Sequence, residues 1–267
     1  MFLEDCEYIT LRIIRKFLLR DNLLKSLERV IPYYKTNQNQ LNPEPIVEQY
    51  LHNLSIANIS VKGEKSILEI GVGATNSIGY EMVAREKDLC YFCYEPYAKF
   101  DEKRDKEIFK SIAEGKSINF QSIESRVRRI QSLDAIGDKS VDVILSNSVL
   151  EHVADMGKLI TDLQRVLKKG GCMLHLIDYR DHFFKYPFHF LKFSEKSWNK
   201  FLNPGDLPRW RIDDHMNIFK QYDYKVHILG TKREEGAFQQ IKSKIHPEFS
   251  KNNEQMLSIT HAALFVN

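Results

Sequence analysis

Disulfides are not what this chain is built on: four cysteines in 267 residues are too few at this length for a disulfide framework. Cys90 and Cys93 form a C-x-x-C, but they sit in an apolar, strand-like run whose period of two sends them to opposite faces. No second pair accompanies them, so they read as buried thiols, with zinc binding as the alternative. Long apolar runs are also missing. None approaches the ~20 residues needed to cross a bilayer, and the N-terminus has no apolar signal-peptide region, so the expectation is a cytoplasmic protein. Nor is there an excess of one charge: 39 Lys and Arg against 36 Asp and Glu leave a formal net charge of +3, too little for a nucleic-acid track. Arg126, Arg128 and Arg129 read as a solvated face of a strand or turn. With no H-x-x-x-H, no paired C-x-x-C and no carboxylate cage, no metal is expected.

What is present is ordinary globular composition, 43% hydrophobic and 28% charged, enough for a sizeable core. The abundance of Lys, Ile, Asn and Phe suggests an AT-rich coding sequence and a bacterial source. The most informative stretch runs from Ser66 to Gly79. Ile67, Leu68 and Ile70 make an apolar strand-like run that ends in a Gly71-x-Gly73 turn and passes into a helix-compatible segment. Glycines there let the backbone bend sharply and approach a ligand, and the helix N-terminus offers N–H groups to an anion. A dinucleotide fingerprint needs a third glycine three residues after Gly73, and that position is Asn76. An NAD-dependent oxidoreductase therefore stays open only as an alternative.

Three further pieces follow in order. Leu89 to Tyr94 reads as a buried strand ending at Glu95-Pro96, where a carboxylate can accept bonds from ribose hydroxyls. Ser140 to Val153 reads as a strand, a polar turn at Ser146 and Asn147, then a helix start. Leu163 to Tyr179 reads as a helix closed by Gly170-Gly171 and a strand ending at Asp178. With LEIGVG, Glu95, SVDVILSNSVLEHV and LKKGG in this order, the chain resembles the class I S-adenosylmethionine-dependent methyltransferases over roughly residues 46–267.

That resemblance implies an α/β fold: a three-layer Rossmann-like sheet of seven strands, the last antiparallel, with an N-terminal helical cap and a lid insertion. It implies S-adenosylmethionine as cofactor and S-adenosylhomocysteine as product. Carried over residue by residue, it implicates Glu69, Gly71 and Gly73 for the methionine part, Glu95 for the ribose, Ser132 and Leu133 beside adenine, and Asn147 near the methyl-transfer centre. The family's frequent third glycine is Thr75 here. A catalytically silent methyltransferase-like binding protein is the remaining alternative.

Residues 1–45 read as a helical cap and linker ahead of the 46–267 domain. Apolar residues recur at helical spacing from Phe2 to Ile31 among Arg12, Arg15, Lys16, Arg20 and Lys25. Such a helix packs on the core, forms a homodimer or lies on a membrane. Lys35 to Pro45 reads as a linker. Between about 178 and 220 the chain is too long and too aromatic for a plain connection, which suggests a substrate lid or an aromatic mini-core. Asp178, Tyr179, Arg180 and Asp181 emerge there as candidate substrate-binding residues. Arg209 and Arg211, two apart, suit a phosphate or carboxylate, or else pair internally with Asp206, Asp213 or Asp214. Methyl transfer to a hydroxyl needs a base, and His182 and His152 are the candidates. The IDYRDHF stretch with its Phe-rich continuation resembles bacterial methyltransferases of surface polysaccharide biosynthesis, implying a small anionic or sugar-like acceptor, such as a capsule or O-antigen precursor, methylated on oxygen.

Overall fold

A computed structural model describes residues 2–18, 42–116, 120–183, 185–205 and 207–267. The expected linker from Lys35 lies almost wholly outside them, as do the second half of the N-terminal helical stretch and Asp206. Seven strands form one sheet in the order β3-β2-β1-β4-β5-β7-β6. They are β1 (Lys65–Ile70), β2 (Leu89–Tyr94), β3 (Val127–Ile130), β4 (Val141–Asn147), β5 (Leu167–Asp178), β6 (Val226–Arg233) and β7 (Ile259–Val266). The first five pair in parallel, with β1 between β2 and β4: Ile70 faces Tyr94 on one side and Ser146 on the other. Lys225 and Asn267 exchange both backbone bonds, at 2.8 and 3.0 Å, the mark of an antiparallel pair. At the other end Tyr179 N–H, just past β5, donates to Thr260 O at 2.7 Å, near the start of β7. The last strand is thus antiparallel to both neighbours, as the methyltransferase resemblance implies.

By compactness the chain divides into two units, one of residues 1–37, 178–217 and 231–262, the other of residues 38–177, 218–230 and 263–267. Residues 231–262 fall in the same unit as the N-terminal helix and the 178–217 segment. In the larger unit, alternate residues of the strands (Ile67, Tyr91, Cys93, Val143, Leu145, Leu174) share a core with Val47, Tyr50 and Leu54 of a helix over Glu44–Ile56. The helix Ser77–Arg85 lies close on this sheet because Gly79 has no side chain: a Cβ there would stand 2.9 Å from Tyr91 and 3.0 Å from Cys93. The helix Met156–Val166 stops four residues before Gly170, and residues 168–171 are taken up by a register shift of β5 against Val141 and Val143. Gly170-Gly171 therefore interrupt a strand rather than cap a helix.

The smaller unit has its own aromatic core. Phe183, Tyr186, Phe188, Phe190 and Trp198 pack with Tyr8 of the helix α1 (Phe2–Phe17) and with Phe238, Phe249 and Leu257. These rings make the mini-core reading of the aromatic segment correct.

Candidate active site

In open α/β sheets ligands bind beyond the carboxyl ends of the strands. At the end of β1, Gly71 has φ +74°, and a Cβ on it would stand 2.4 Å from a methyl of Val149. Both the left-handed backbone and the close approach demand glycine there. Gly73 also has a positive φ, of +69°. Two neighbouring strands, β2 and β3, fix this loop. Gly71 N–H donates to Tyr94 O at 2.9 Å. Gly73 N–H donates to Glu95 Oε2 at 2.8 Å, while Glu95 Oε1 accepts from Tyr97 and Ala98 N–H, both at 2.9 Å. From β3, Arg129 donates to Gly73 O at 2.6 Å and to Asn76 Oδ1 at 3.1 Å, with its guanidinium 4.8 Å from the centre of the Phe100 ring. Asp105 closes the far side, accepting Asn76 N–H at 2.6 Å and the Tyr80 hydroxyl at 2.7 Å.

Three backbone donors hold the Glu95 carboxylate in place, and Oε2 carries only one of them. Ser132 starts a single turn over Leu133–Ala135, its hydroxyl accepting Asp134 N–H at 3.2 Å, and Leu133 is buried beneath. Asn147 ends β4, half-buried, and is followed by Ser148 with φ +55°, an uncommon left-handed residue. Ser148 N–H donates to Leu176 O at 2.8 Å. Beside them Ser146 Oγ and His175 Nδ1 lie 2.8 Å apart, buried. His152 sits exposed in the short turn Leu150–His152.

Glu69 departs from its expected role. It lies on the same strand face as Ile67, so its side chain points into the core, where Tyr50 and Tyr91 hydroxyls donate to its two oxygens at 3.1 and 2.9 Å. Burial pushes its carboxyl up to about 7, against the lowering effect of the two phenols. Its place is structural.

The candidate substrate residues belong to the smaller unit, and most are engaged there. Arg180 clamps Asp178, Nη2 to Oδ2 at 2.7 Å and Nε to Oδ1 at 3.0 Å, and the pair lowers the Asp178 pKa against its burial. Tyr179 is buried, its hydroxyl 2.8 Å from His215 Nδ1. Asp181 is fully buried among Arg12, the Tyr8 hydroxyl and Phe183 N–H. Arg209 donates to Phe190 O at 3.0 Å and Phe193 O at 2.7 Å and pairs with Glu195. Arg211, fully buried, donates to the carbonyls of Tyr179, Leu257 and Ile259. Both arginines therefore serve the interior, mostly on backbone carbonyls, and do not grip an anion as expected. Tyr179 and Asp181 are interior groups as well. His182 follows in a bend and is half-buried.

Arg129, Asn76 and Asp105 are the residues sequence reasoning missed. The available signal was position: Arg129 stands one residue from the carboxyl end of β3, the edge where ligand loops gather.

Residues 68–175 match the family described as methyltransferase domain. A ubiquinone biosynthesis O-methyltransferase of Bradyrhizobium sp. (strain ORS 278) is 27% identical over 110 residues, 38% of this chain and 42% of that protein. Among solved structures, a geranyl diphosphate methyltransferase in complex with GPP and sinefungin superposes with a TM-score of 0.51 at 11% identity, covering 84% of this chain and 76% of that one. The Haemonchus contortus phosphoethanolamine N-methyltransferase 2 is 15% identical with a TM-score of 0.48, covering 95% of this chain and 58% of that one. The chain thus spans less than half the length of the curated relative it matches. The match to a methyltransferase domain spans residues 68–175, less than half of the chain.

Proposed function

We propose that this chain transfers the methyl group of S-adenosylmethionine to a small acceptor, at an oxygen. The observation that supports it most is the glycine loop at the end of β1, locked to Glu95 at the end of β2. Bound there, the cofactor supplies a methyl carbon already activated by its sulfonium. The chain's own residues then have three tasks. The Gly71–Asn76 loop and Glu95 hold the cofactor through its methionine part and ribose. Ser132 and Leu133 flank its base, and Asn147 borders the reacting end. An imidazole, His152 or His182, takes the proton of a hydroxyl acceptor.

Transfer to oxygen is favoured by the relative whose name is an O-methyltransferase. A surface-polysaccharide or phosphate-bearing acceptor has lost its footing, because Arg209 and Arg211 are spent on internal carbonyls. The test is calorimetric titration with S-adenosylhomocysteine beside NADH, then transfer of labelled methyl to small-molecule and RNA fractions. Binding of S-adenosylhomocysteine alone, with label in small molecules, is expected. Label in RNA only would overturn the small acceptor, and binding of NADH alone would overturn the cofactor.

A further inference from the structure

Helix α1 is apolar on more than the face it buries. Its inward side mixes Ile9 and Leu11, packed on the aromatic core, with polar groups: Tyr8 and Arg12 are buried, Asp5 pairs with Lys192 and Lys244, and Glu7 holds Lys185 and the Tyr186 hydroxyl. Its outward positions, three and four apart, are Leu3, Cys6, Thr10, Ile13 and Phe17. Leu3 is 80% exposed and Phe17 59%, with Leu18 after it at 69%. An apolar stripe turned outward on a helix already packed by its opposite face needs an apolar or interfacial neighbour.

The neighbour's chemistry is written at the C-terminal end of α1. There the helix packs on the turn Trp198–Leu202: Lys16 donates to Asn199 O, and the Arg12 guanidinium lies 5.0 Å from the centre of the Trp198 ring. Each element adds an exposed phenylalanine with an ammonium over it. Lys16 Nζ is 5.8 Å from the Phe17 ring and Lys200 Nζ is 4.9 Å from the Phe201 ring. In an interface between proteins these ammonium groups would be stripped of water beside rings, and a second copy would bring like charges against them. At a bilayer boundary the rings enter the acyl edge while lysine heads reach up to phosphates.

We propose that the outer face of α1, with Phe201 and Lys200, seats the protein on an anionic lipid surface. The helix lies along that surface: among the described residues no helix is long and apolar enough to cross a membrane. The inference does not depend on the methyl acceptor. The lysines confer the preference for anionic lipid and the phenylalanines most of the apolar anchorage.

Vesicle flotation with the full chain tests it, using phosphatidylcholine alone and phosphatidylcholine with about one third phosphatidylglycerol. Binding to the anionic vesicles only, weakened by salt, is expected. Phe17→Ser with Phe201→Ser, and separately Lys200→Glu with Lys16→Gln, should each lower partitioning about tenfold or more. Phe201→Ser and Lys200→Glu alone, both at exposed positions, should lower it measurably with an unchanged melting curve. Absent binding, equal binding to neutral and anionic vesicles, or a concentration-dependent dimer abolished by Phe17→Ser in a chain that ignores vesicles would each overturn the proposal.

Discussion

Glu95 does not wait idle for a ribose: its Oε2 accepts the N–H of Gly73 at 2.8 Å, so the acid at the end of β2 also shapes the glycine loop at the end of β1. Oε1 is fixed as firmly by Tyr97 and Ala98. Every partner is an N–H donor, which makes the site intolerant of an amide. Glu95→Gln must turn its NH2 toward one of these donors, so it should weaken S-adenosylhomocysteine binding as severely as Glu95→Ala. Loss of charge-assisted bonds of this kind amounts to about 1.5–3 kcal/mol, or roughly ten- to a hundredfold in Kd. Calorimetry on both variants checks it, and near-normal affinity in Glu95→Gln would refute the dual role.

Arg129 braces the same loop from β3, on Gly73 O and Asn76 Oδ1, with Phe100 stacked beneath it. Arg129→Met keeps the aliphatic stem and removes the donors. Its expected effect is about a tenfold loss of S-adenosylhomocysteine affinity with little change in melting temperature, because the guanidinium lies at the sheet edge. Lys can replace one of the two bonds, so Arg129→Lys should fall between. Equal affinity across all three proteins would show that Glu95 and Asp105 hold the loop alone.

The sheet is legible in the sequence wherever apolar runs end at a chemical boundary. Leu89 to Tyr94 stops at Glu95-Pro96, and the apolar run from Ala262 to Val266 stops at Asn267. The glycine loop is legible for the same reason, since the positive φ at residues 71 and 73 favours glycine. Side-chain direction is not so readable. Glu69 stands two residues before Gly71, and only the phase of β1 decides that it meets Tyr50 and Tyr91 in the core. Arg209 and Arg211 mislead for a deeper reason. Their partners are carbonyls of Phe190, Phe193, Tyr179, Leu257 and Ile259, and every residue has a carbonyl, so no sequence signal marks one as an arginine's partner. The charge pattern of α1 shows amphipathicity but not which face turns inward.

Glu69 also gives a pH signature. Its carboxyl is raised from an ordinary 4.5 to about 7 by burial, so the folded state binds its proton more tightly than the unfolded state. Stability from this group is fully present below about pH 4.5 and is lost as pH rises through about 7. The whole change is on the order of 3 kcal/mol. Glu69→Gln keeps the shape without the ionisation. Urea unfolding at a series of pH values should show the variant gaining on the wild type between pH ~5 and ~8. A constant difference across that range would mean that Glu69 is not buried as placed.

Arg211 separates an interior arginine from a substrate-binding one. Its guanidinium is fully buried, holds the carbonyls of Tyr179, Leu257 and Ile259, and lies 5.2 Å from the Tyr179 ring centre. Burial lowers its pKa to about 10, which still leaves it charged at neutral pH. Arg211→Ala strands three buried acceptors at about 1–3 kcal/mol each, and partial relaxation brings the expected loss to about 3–5 kcal/mol. For a chain of this size that is a fall of roughly 10 °C in Tm. Arg211→Lys should recover little, since one ammonium on a flexible stem cannot serve three carbonyls in the fork geometry of a guanidinium. Because the residue touches only the interior, the KM for acceptor in the surviving folded fraction should stay at the wild-type value. An unchanged Tm with a selectively raised KM would return Arg211 to the substrate and remove it from the core.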